Sequence, residues 1–309
     1  MNFYLIDGNS YFYRAYHAIR GLSNSKGLPT NAIYGFTNML LKIIREKKPD
    51  ALVIVFDSPV PTGRHRIYEE YKAQRPGMPG DLALQVPKIK EVIKAFNIPV
   101  FEMPGYEADD IICTLAKKAA SRGAETFIVS GDKDMMQVVS GSIRIYDPMK
   151  EAIIDENYIR DRFGMPPGKI SEIMALTGDA VDNIPGVKGI GEKRAKELLL
   201  RAGSLDELLN HPEKIENERL STMIRENLEN IKLSKILATI DTNIPIDVDT
   251  GDLAVKEPDW PALLRLFTEF EFKSLIKLVP TRGYGPRGRY GTITNKGQLL
   301  AFLGKGEKK

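Results

Sequence analysis

Apolar residues in the first half of the chain come in short continuous runs, and most of them stop at an acidic residue. Residues 3–6 lead into Asp7-Gly8, residues 51–56 (ALVIVF) into Asp57, and residues 126–129 (TFIV) into Ser130-Gly131-Asp132. Residues 99–103 form a weaker run, and residues 143–146 suit an edge strand. Runs this short and this apolar predict strands buried on both faces of a parallel sheet. Between them the apolar positions change to a helical period. Ile33, Phe36, Leu40 and Ile44 share a stripe within 31–46, and Leu84, Ile89, Val92 and Ile93 share one within 81–96. The segment 108–119 is apolar at 108, 111, 112, 115, 116 and 119. Strand–helix alternation of this kind predicts an α/β fold with a mostly parallel central sheet flanked by helices.

From about residue 167 the strand signals fade. Helical patterns at 170–176, 192–201, 204–209 and 220–238 predict a C-terminal helical lobe. The chain therefore divides into an α/β part, 1–166, and a helical part, 167–279. Residues 281–289 (TRGYGPRGR) read as a linker, followed after Gly291 by one strand and one helix.

Composition narrows the function classes. Hydrophobic residues make up 42% and charged residues 28%, as in soluble globular proteins. No run is long and apolar enough to span a bilayer, and Asp7 interrupts the N-terminus too early for a signal peptide, so a cytoplasmic protein is expected. Cys113 is the single cysteine, which excludes an intrachain disulfide and a thiolate zinc site, and His17, His65 and His211 are scattered without metal-ligand spacing. Net charge is only +3, but many of the 41 acidic residues cluster in a few motifs, so the remainder is markedly basic against 44 Lys and Arg. A basic surface around an acidic pocket suits a polyanion whose reaction needs metal ions.

The placement of the carboxylates is the most informative feature. Asp7, Asp57 and Asp132 each follow a strand, and ligands of open parallel sheets bind at the strands' carboxyl ends. Glu107, Asp109 and Asp110 open the next helix, and Asp134 joins the same rim. Each one alone fits a helix cap or a turn equally well. Together they repel one another by several kcal/mol per close pair, on the order of 4 at protein-like dielectric, unless cations bind. An oxygen-only donor set favours two Mg²⁺ or Mn²⁺ ions. Asp179 and Asp182, three apart in GDAVDNIPG, either complete the site or simply form a turn.

Two further segments suit phosphates. GVKGIGEKRA (Gly186, Lys188, Gly189, Gly191, Lys193, Arg194) is a glycine-rich turn opening a basic helix, which fits a phosphate backbone or, alternatively, tight helix packing. In TGRHRIYEEYKAQRPGMP a helical spacing puts Arg64, Tyr68, Tyr71, Lys72 and Arg75 on one side, suiting a single strand or an ordinary solvated helix. Arg14, among Tyr11, Tyr13 and Tyr16, lies just beyond Asp7.

LIDGNSYFYRAYHA, VFDSPVPTGRHRIYEEYKAQRPGMP, PGYEADDIICTLA, SGDKDMMQVV and ALTGDAVDNIPGVKGIGEKRAKELL occur in the order found in the 5′ nuclease domain of bacterial DNA polymerase I. The chain resembles that domain, within the flap endonuclease family, over about residues 1–279. The resemblance implies a PIN-like fold with a helix–three-turn–helix and a helical arch at about 62–94. It implies a 5′→3′ exonuclease and 5′-flap endonuclease acting on flaps, nicks and RNA primers in replication and repair, as a monomer. Asp7, Asp57, Glu107 and Asp109 would hold a first metal. Asp132, Asp134, Asp179 and Asp182 would hold a second, with Asp110 in support. Lys72, Arg75 and Arg64 would act on the scissile phosphate. Gly186 to Gly191 would hold duplex, with K⁺. Gly63 departs from the bulkier residue usual in such relatives. No polymerase activity is expected of these residues. The rival readings are a non-catalytic DNA-binding module and a metal-dependent phosphatase.

Overall fold

The computed structural model describes residues 1–248 and 250–280. Strand β1 (Asn2–Asp7) lies at the centre of a six-stranded sheet and pairs in parallel with β2 (Ala51–Val55) on one side and β4 (Glu125–Val129) on the other. Beyond β2 comes β3 (Val100–Phe101). Beyond β4 come β5 (Ile143–Asp147) and an antiparallel edge strand, β6 (Ala152–Ile154), giving the order β3-β2-β1-β4-β5-β6. Leu5, Ile6, Val53, Ile54, Ile128 and Val129 are wholly buried, as expected for strands covered on both faces. The chain runs outward from β1 to β3 and then crosses to β4. Ligand-binding crevices form at such a reversal, past the carboxyl ends of β1 and β4.

Helix α1 (Gly8–Ala18) follows β1 directly, and α2 (Asn31–Lys42) packs against it. The apolar runs had not announced α1, because its inward residues Tyr11, Phe12 and Ala15 are interleaved with polar ones. The segment 62–94 departs from the expected helical spacing. Helix α3 covers only Gly63–Ile67, the chain then turns through 75, and α4 (Gly80–Ala95) is a core helix against α2. Leu84 was placed on the buried stripe but is exposed, and Gln85 takes the inward position, its Oε1 accepting from Ala32 N at 2.8 Å. A Cβ on Gly63 would meet only Arg66, at 3.9 Å, so packing does not require glycine there. Helix α5 (Ala108–Ser121) covers one face of the sheet with Ile111, Ile112, Leu115 and Ala116.

After α6 (Glu156–Phe163), the helices α7 (Ile170–Thr177), α8 (Glu192–Ala202), α9 (Leu205–Asn210), α10 (Glu218–Glu226) and α11 (Leu228–Ala238) follow. The stretch 220–238 is thus two helices, divided at Asn227. Their core (Ile173, Leu176, Leu199, Ile224, Ile231) is continuous with the α5 face of the sheet. The last helices among the described residues, α12 (Trp260–Glu269) and α13 (Lys273–Ile276), do not join this lobe. Leu263, Phe267, Phe270 and Leu275 return to the opposite face of the sheet, among Phe36, Leu40 and Ile93. The helical part read as 167–279 therefore gives its last two helices back to the α/β half. The expected linker 281–289 and the elements after Gly291 lie outside the described residues.

Candidate active site and nucleic-acid interface

The strand-end carboxylates are anchored by the local turns that the sequence pattern suggested. Asp7 accepts from Ser10 N at 2.9 Å as the N-cap of α1, and from Ser130 Oγ at 3.1 Å. Asp57 accepts from Ala108 N at 2.8 Å, and its own N–H donates to Asn9 Oδ1 at 3.0 Å. Asp132 N donates to Ser130 Oγ at 3.1 Å, while Asp132 Oδ1 accepts from Asp134 N at 2.9 Å. A cap or turn role therefore does not take these carboxylates out of the crevice: Asp7 caps α1 and still faces the charges of Asp57 and Asp132. Their charges act on one another. Burial, with the Asp57 and Asp132 charges, raises Asp7 to about 6. Burial, with Asp132 and Asp7 alongside, holds Asp109 well above the usual carboxylate range. Asp132 is raised by burial and Asp182, and Asp134 is pushed to about 8 by burial, Asp132 and Asp182.

The remaining carboxylates carry fixed cations. Glu107 receives Lys72 Nζ at 2.9 Å, Arg64 Nη1 at 3.3 Å and the Tyr71 hydroxyl at 3.2 Å. Asp182 pairs with Arg75 and lies 3.8 Å from Lys72 Nζ. Asp179 pairs with Lys133 at 2.7 Å and accepts from Val181 N and Asp182 N. Burial alone would raise its pKa, but these partners lower it. Lys72 sits at φ 58°, a left-handed conformation costing a non-glycine residue ~1 kcal/mol. Its N–H donates to Asp182 O at 3.0 Å, which helps hold it there.

Three expectations need correction. Arg64 grips Asp110 with two bonds of 2.7 Å and donates to Leu237 O at 3.0 Å and Thr239 O at 2.8 Å. It is a buried strut joining α3, α5 and the end of α11, with its donors already committed, so a phosphate has little left to take. Asp110 is correspondingly occupied on both oxygens, and its Oδ1 also accepts from Asp241 N at 2.9 Å. Tyr71 is 3% exposed, with its hydroxyl on Glu107 and its ring edge-on to His65, so no base can stack on it. Lys72 and Arg75 reach the site from turns rather than from a helix face.

Two features of the donor set bear on metal. All the side chains are hard oxygen donors, and Asp134 Oδ1 is buried with no hydrogen-bond partner. Among the described residues no three of these groups already close into a coordination shell, and Lys72, Arg75 and Lys133 supply positive charge at the outer carboxylates instead. The residues fit divalent cations, which would satisfy both the raised carboxyls and the orphaned oxygen.

In the helical lobe, Gly178 and Gly186 have φ of 68° and 56°, and a Cβ on Gly186 would collide with the backbone of Thr177 and Gly178. Gly186 is buried and its N–H is taken by Ser234 Oγ at 2.9 Å. This glycine serves packing, which corrects its assignment to the DNA surface. Lys188, Gly189, Gly191, Lys193 and Arg194 are exposed. Gly191 precedes α8 without any side-chain cap, so the first N–H groups of α8 have no capping side chain, and Arg194 Nη1 braces the turn on Gly189 O at 2.8 Å. Arg14 lies against the Ser130–Asp132 turn, 3.0 Å from a Cβ position on Gly131, and its Nη1 is buried without a partner.

Sequence reasoning missed Ser130, Asn9, Thr62 and Lys133. Ser130 and Asn9 were hidden as ordinary turn residues. Thr62 Oγ1 reaches Glu107 at 3.3 Å only through the fold. Lys133 alone had a signal, since a lysine between Asp132 and Asp134 is already placed to neutralise them.

Residues 2–164 match the model of the 5′-3′ exonuclease N-terminal resolvase-like domain, and residues 165–261 match that of the 5′-3′ exonuclease C-terminal SAM fold. A 5′-3′ exonuclease of Aquifex aeolicus is 42% identical over 276 residues, covering 89% of this chain and 94% of that protein. DNA polymerase I of Caldicellulosiruptor bescii is 40% identical over 287 residues, covering 90% of this chain but 33% of the polymerase, so the chain spans about a third of such relatives. The fold also matches a bacteriophage T5 flap endonuclease crystallised as a pseudo-enzyme–product complex with DNA and metal ions. The TM-score there is 0.66 and the identity 16%, covering 90% of this chain and 99% of that one. On both its domains and over nearly its whole described length, this chain belongs to the 5′-3′ exonuclease family.

Proposed function

We propose that the chain is a divalent-metal-dependent 5′→3′ exonuclease and 5′-flap endonuclease that hydrolyses phosphodiester bonds of DNA, and of RNA primers, in replication and repair. The observation that carries this reading is the gathering of carboxylates from both halves of the chain at one sheet crevice, four of them with raised pKa values. Asp7, Asp57, Glu107 and Asp109 would hold one Mg²⁺ or Mn²⁺, and Asp132, Asp134, Asp179 and Asp182 a second. Such ions supply Lewis acidity for activating water and for neutralising charge on the phosphorus centre. The chain's own residues do the rest. Ser130 and Ser10 orient Asp7, the Ala108 N–H orients Asp57, and the Asp134 N–H orients Asp132. Lys72 and Arg75, paired with Glu107 and Asp182, would meet the scissile phosphate, offsetting charge as it develops. Lys188, Lys193 and Arg194, with the N–H groups after Gly189 and Gly191, would hold the duplex backbone, with K⁺ as a further ligand of that turn. Arg14, with its unpartnered nitrogen beside the Ser130–Asp132 turn, would take a phosphate of the 5′ strand.

No helix among the described residues is long and apolar enough to cross a membrane. A monomer acting in the cytoplasm is the proposed setting. The test is cleavage of a labelled 5′-flap duplex with Mg²⁺ or EDTA. Asp132→Ala should abolish the Mg²⁺-dependent cut while leaving duplex binding largely intact. A DNA-binding module would retain the duplex uncut, and a phosphatase would instead hydrolyse a small chromogenic phosphoester.

A further inference from the structure

The carboxylates of the crevice divide into two sets. Asp7, Asp57, Asp109, Asp132 and Asp134 have no ion-pair partner among the described residues. Glu107, Asp179 and Asp182 are each held by a lysine or arginine. Two of those cations, Lys72 and Arg75, belong to a single exposed segment. Residues 73–78 are exposed throughout, so burial does not pin this stretch. Tyr71, buried in the core and under Glu107, anchors its start, and the rest is held by the Lys72 and Arg75 ion pairs, by Lys72 N on Asp182 O, and by Asn183, which donates from Nδ2 to Glu70 O at 2.8 Å and accepts from Gln74 Nε2 at 3.4 Å. Apart from the packing of Tyr71 and the Asn183 bonds, these contacts go to Glu107 or Asp182.

We infer that Lys72 and Arg75 stand in for divalent cations, so that metal loading is ordered and is gated by the segment 68–78. A first ion enters among Asp7, Asp57 and Asp109, which carry no cation, without moving the segment, and Glu107 joins it only once Lys72 leaves. A second ion, which needs Asp182, must displace Lys72 and Arg75, and in doing so it frees both side chains for the phosphate. Metal and segment compete for the same oxygens, and by linkage each weakens the other's hold. The device keeps the phosphate-contacting cations docked until the site is loaded. This inference rests on the metal-dependent reading above, and the following test separates the two.

Mn²⁺ is titrated calorimetrically into the whole chain without DNA, for wild type, Lys72→Gln and Arg75→Gln, with folding checked by circular dichroism. Wild type should show a tight and a weaker step. Lys72→Gln should tighten the weaker step by about tenfold, since it removes a charge held close to two carboxylates, and Arg75→Gln by less, because its side chain is 43% exposed. The tight step should move little in either. In wild type, amide hydrogen exchange over residues 69–75 should quicken as the weaker step saturates, because a segment released from its Lys72 and Arg75 ion pairs opens the backbone bond from Lys72 N to Asp182 O more often; this readout stands even if Lys72→Gln does not fold. Two steps with the weaker one unchanged or loosened in Arg75→Gln, or exchange that is unaltered or slower on loading, overturns the inference alone. No Mn²⁺ binding at all overturns the metal-dependent reading with it.

Discussion

The raised carboxyls make stability of the metal-free protein a falling function of pH, and Asp134 sets the scale. Its Oδ1 is buried without a partner, and its pKa moves from 3.8 to about 8. The folded state therefore keeps a proton on Asp134 that the unfolded chain gives up above about pH 4. The contribution is complete below the unfolded value and is lost as pH rises through the folded one. A shift of this size corresponds to on the order of 6 kcal/mol at about 1.4 kcal/mol per unit. Asp7, raised to about 6, adds in the same direction, less than independently because the groups share a cluster. At roughly 2–4 °C per kcal/mol, the melting temperature in EDTA should fall by roughly 10 °C between about pH 5 and about pH 8. Asp134→Asn removes the ionisable group and should flatten that slope, making the variant the more stable protein at about pH 8 without metal. Added Mg²⁺ should restore wild type at high pH and the variant far less. The assay is thermal unfolding of both proteins, with and without Mg²⁺, across this range. A wild-type melting temperature that is flat or rising with pH in EDTA, or an Asp134→Asn curve that overlays it, would refute the reasoning.

Other perturbations separate the structural from the contacting residues. Arg64→Ala strands Asp110 in a buried place and should cost about 3–5 kcal/mol in unfolding free energy, with Arg64→Lys recovering part of it. Chemical denaturation would read this. Gly186→Ala forces a left-handed alanine into the Gly178 backbone and should cost more than about 3 kcal/mol, whereas Gly191→Ala enters open space and should stay within about 1 kcal/mol while weakening duplex binding if the approach to phosphate is close. Lys193→Ala should lower duplex affinity evenly across sequences and reduce the slope of log affinity against log salt by about one, measured by fluorescence anisotropy. An unchanged slope would remove Lys193 from the backbone contacts.

Much of the architecture was legible because one local rule governs it: a strand covered on both faces must be apolar along its whole length. The apolar runs at 3–6, 51–56 and 126–129 therefore named β1, β2 and β4, and the residues after them named the carboxylates. Where a segment obeys no single local rule, the pattern misled. Leu84 looked inward and is exposed, because α4 spends an inward position on Gln85, which closes the N-terminus of α2. The five-residue α3 and the turns after it carry a helical spacing of basic and aromatic residues, yet Lys72 adopts a left-handed backbone to meet Glu107 and Asp182.

The linear order of residues by itself determined that the chain has a parallel sheet, that acidic groups stand at its strand ends, and that a glycine-rich turn opens a basic helix. These depend on neighbours a few positions apart, where backbone sterics and periodic burial leave little choice. Only the tertiary structure decided which oxygens are claimed by cations and which are left wanting one. Arg64 meets Asp110 across 46 residues and Leu237 across 173, and Lys133 rather than a nearer group takes Asp179. Pairings at such separations depend on how the sheet and the helical lobe share one core, because a charge in a low-dielectric interior binds whichever partner the packing delivers.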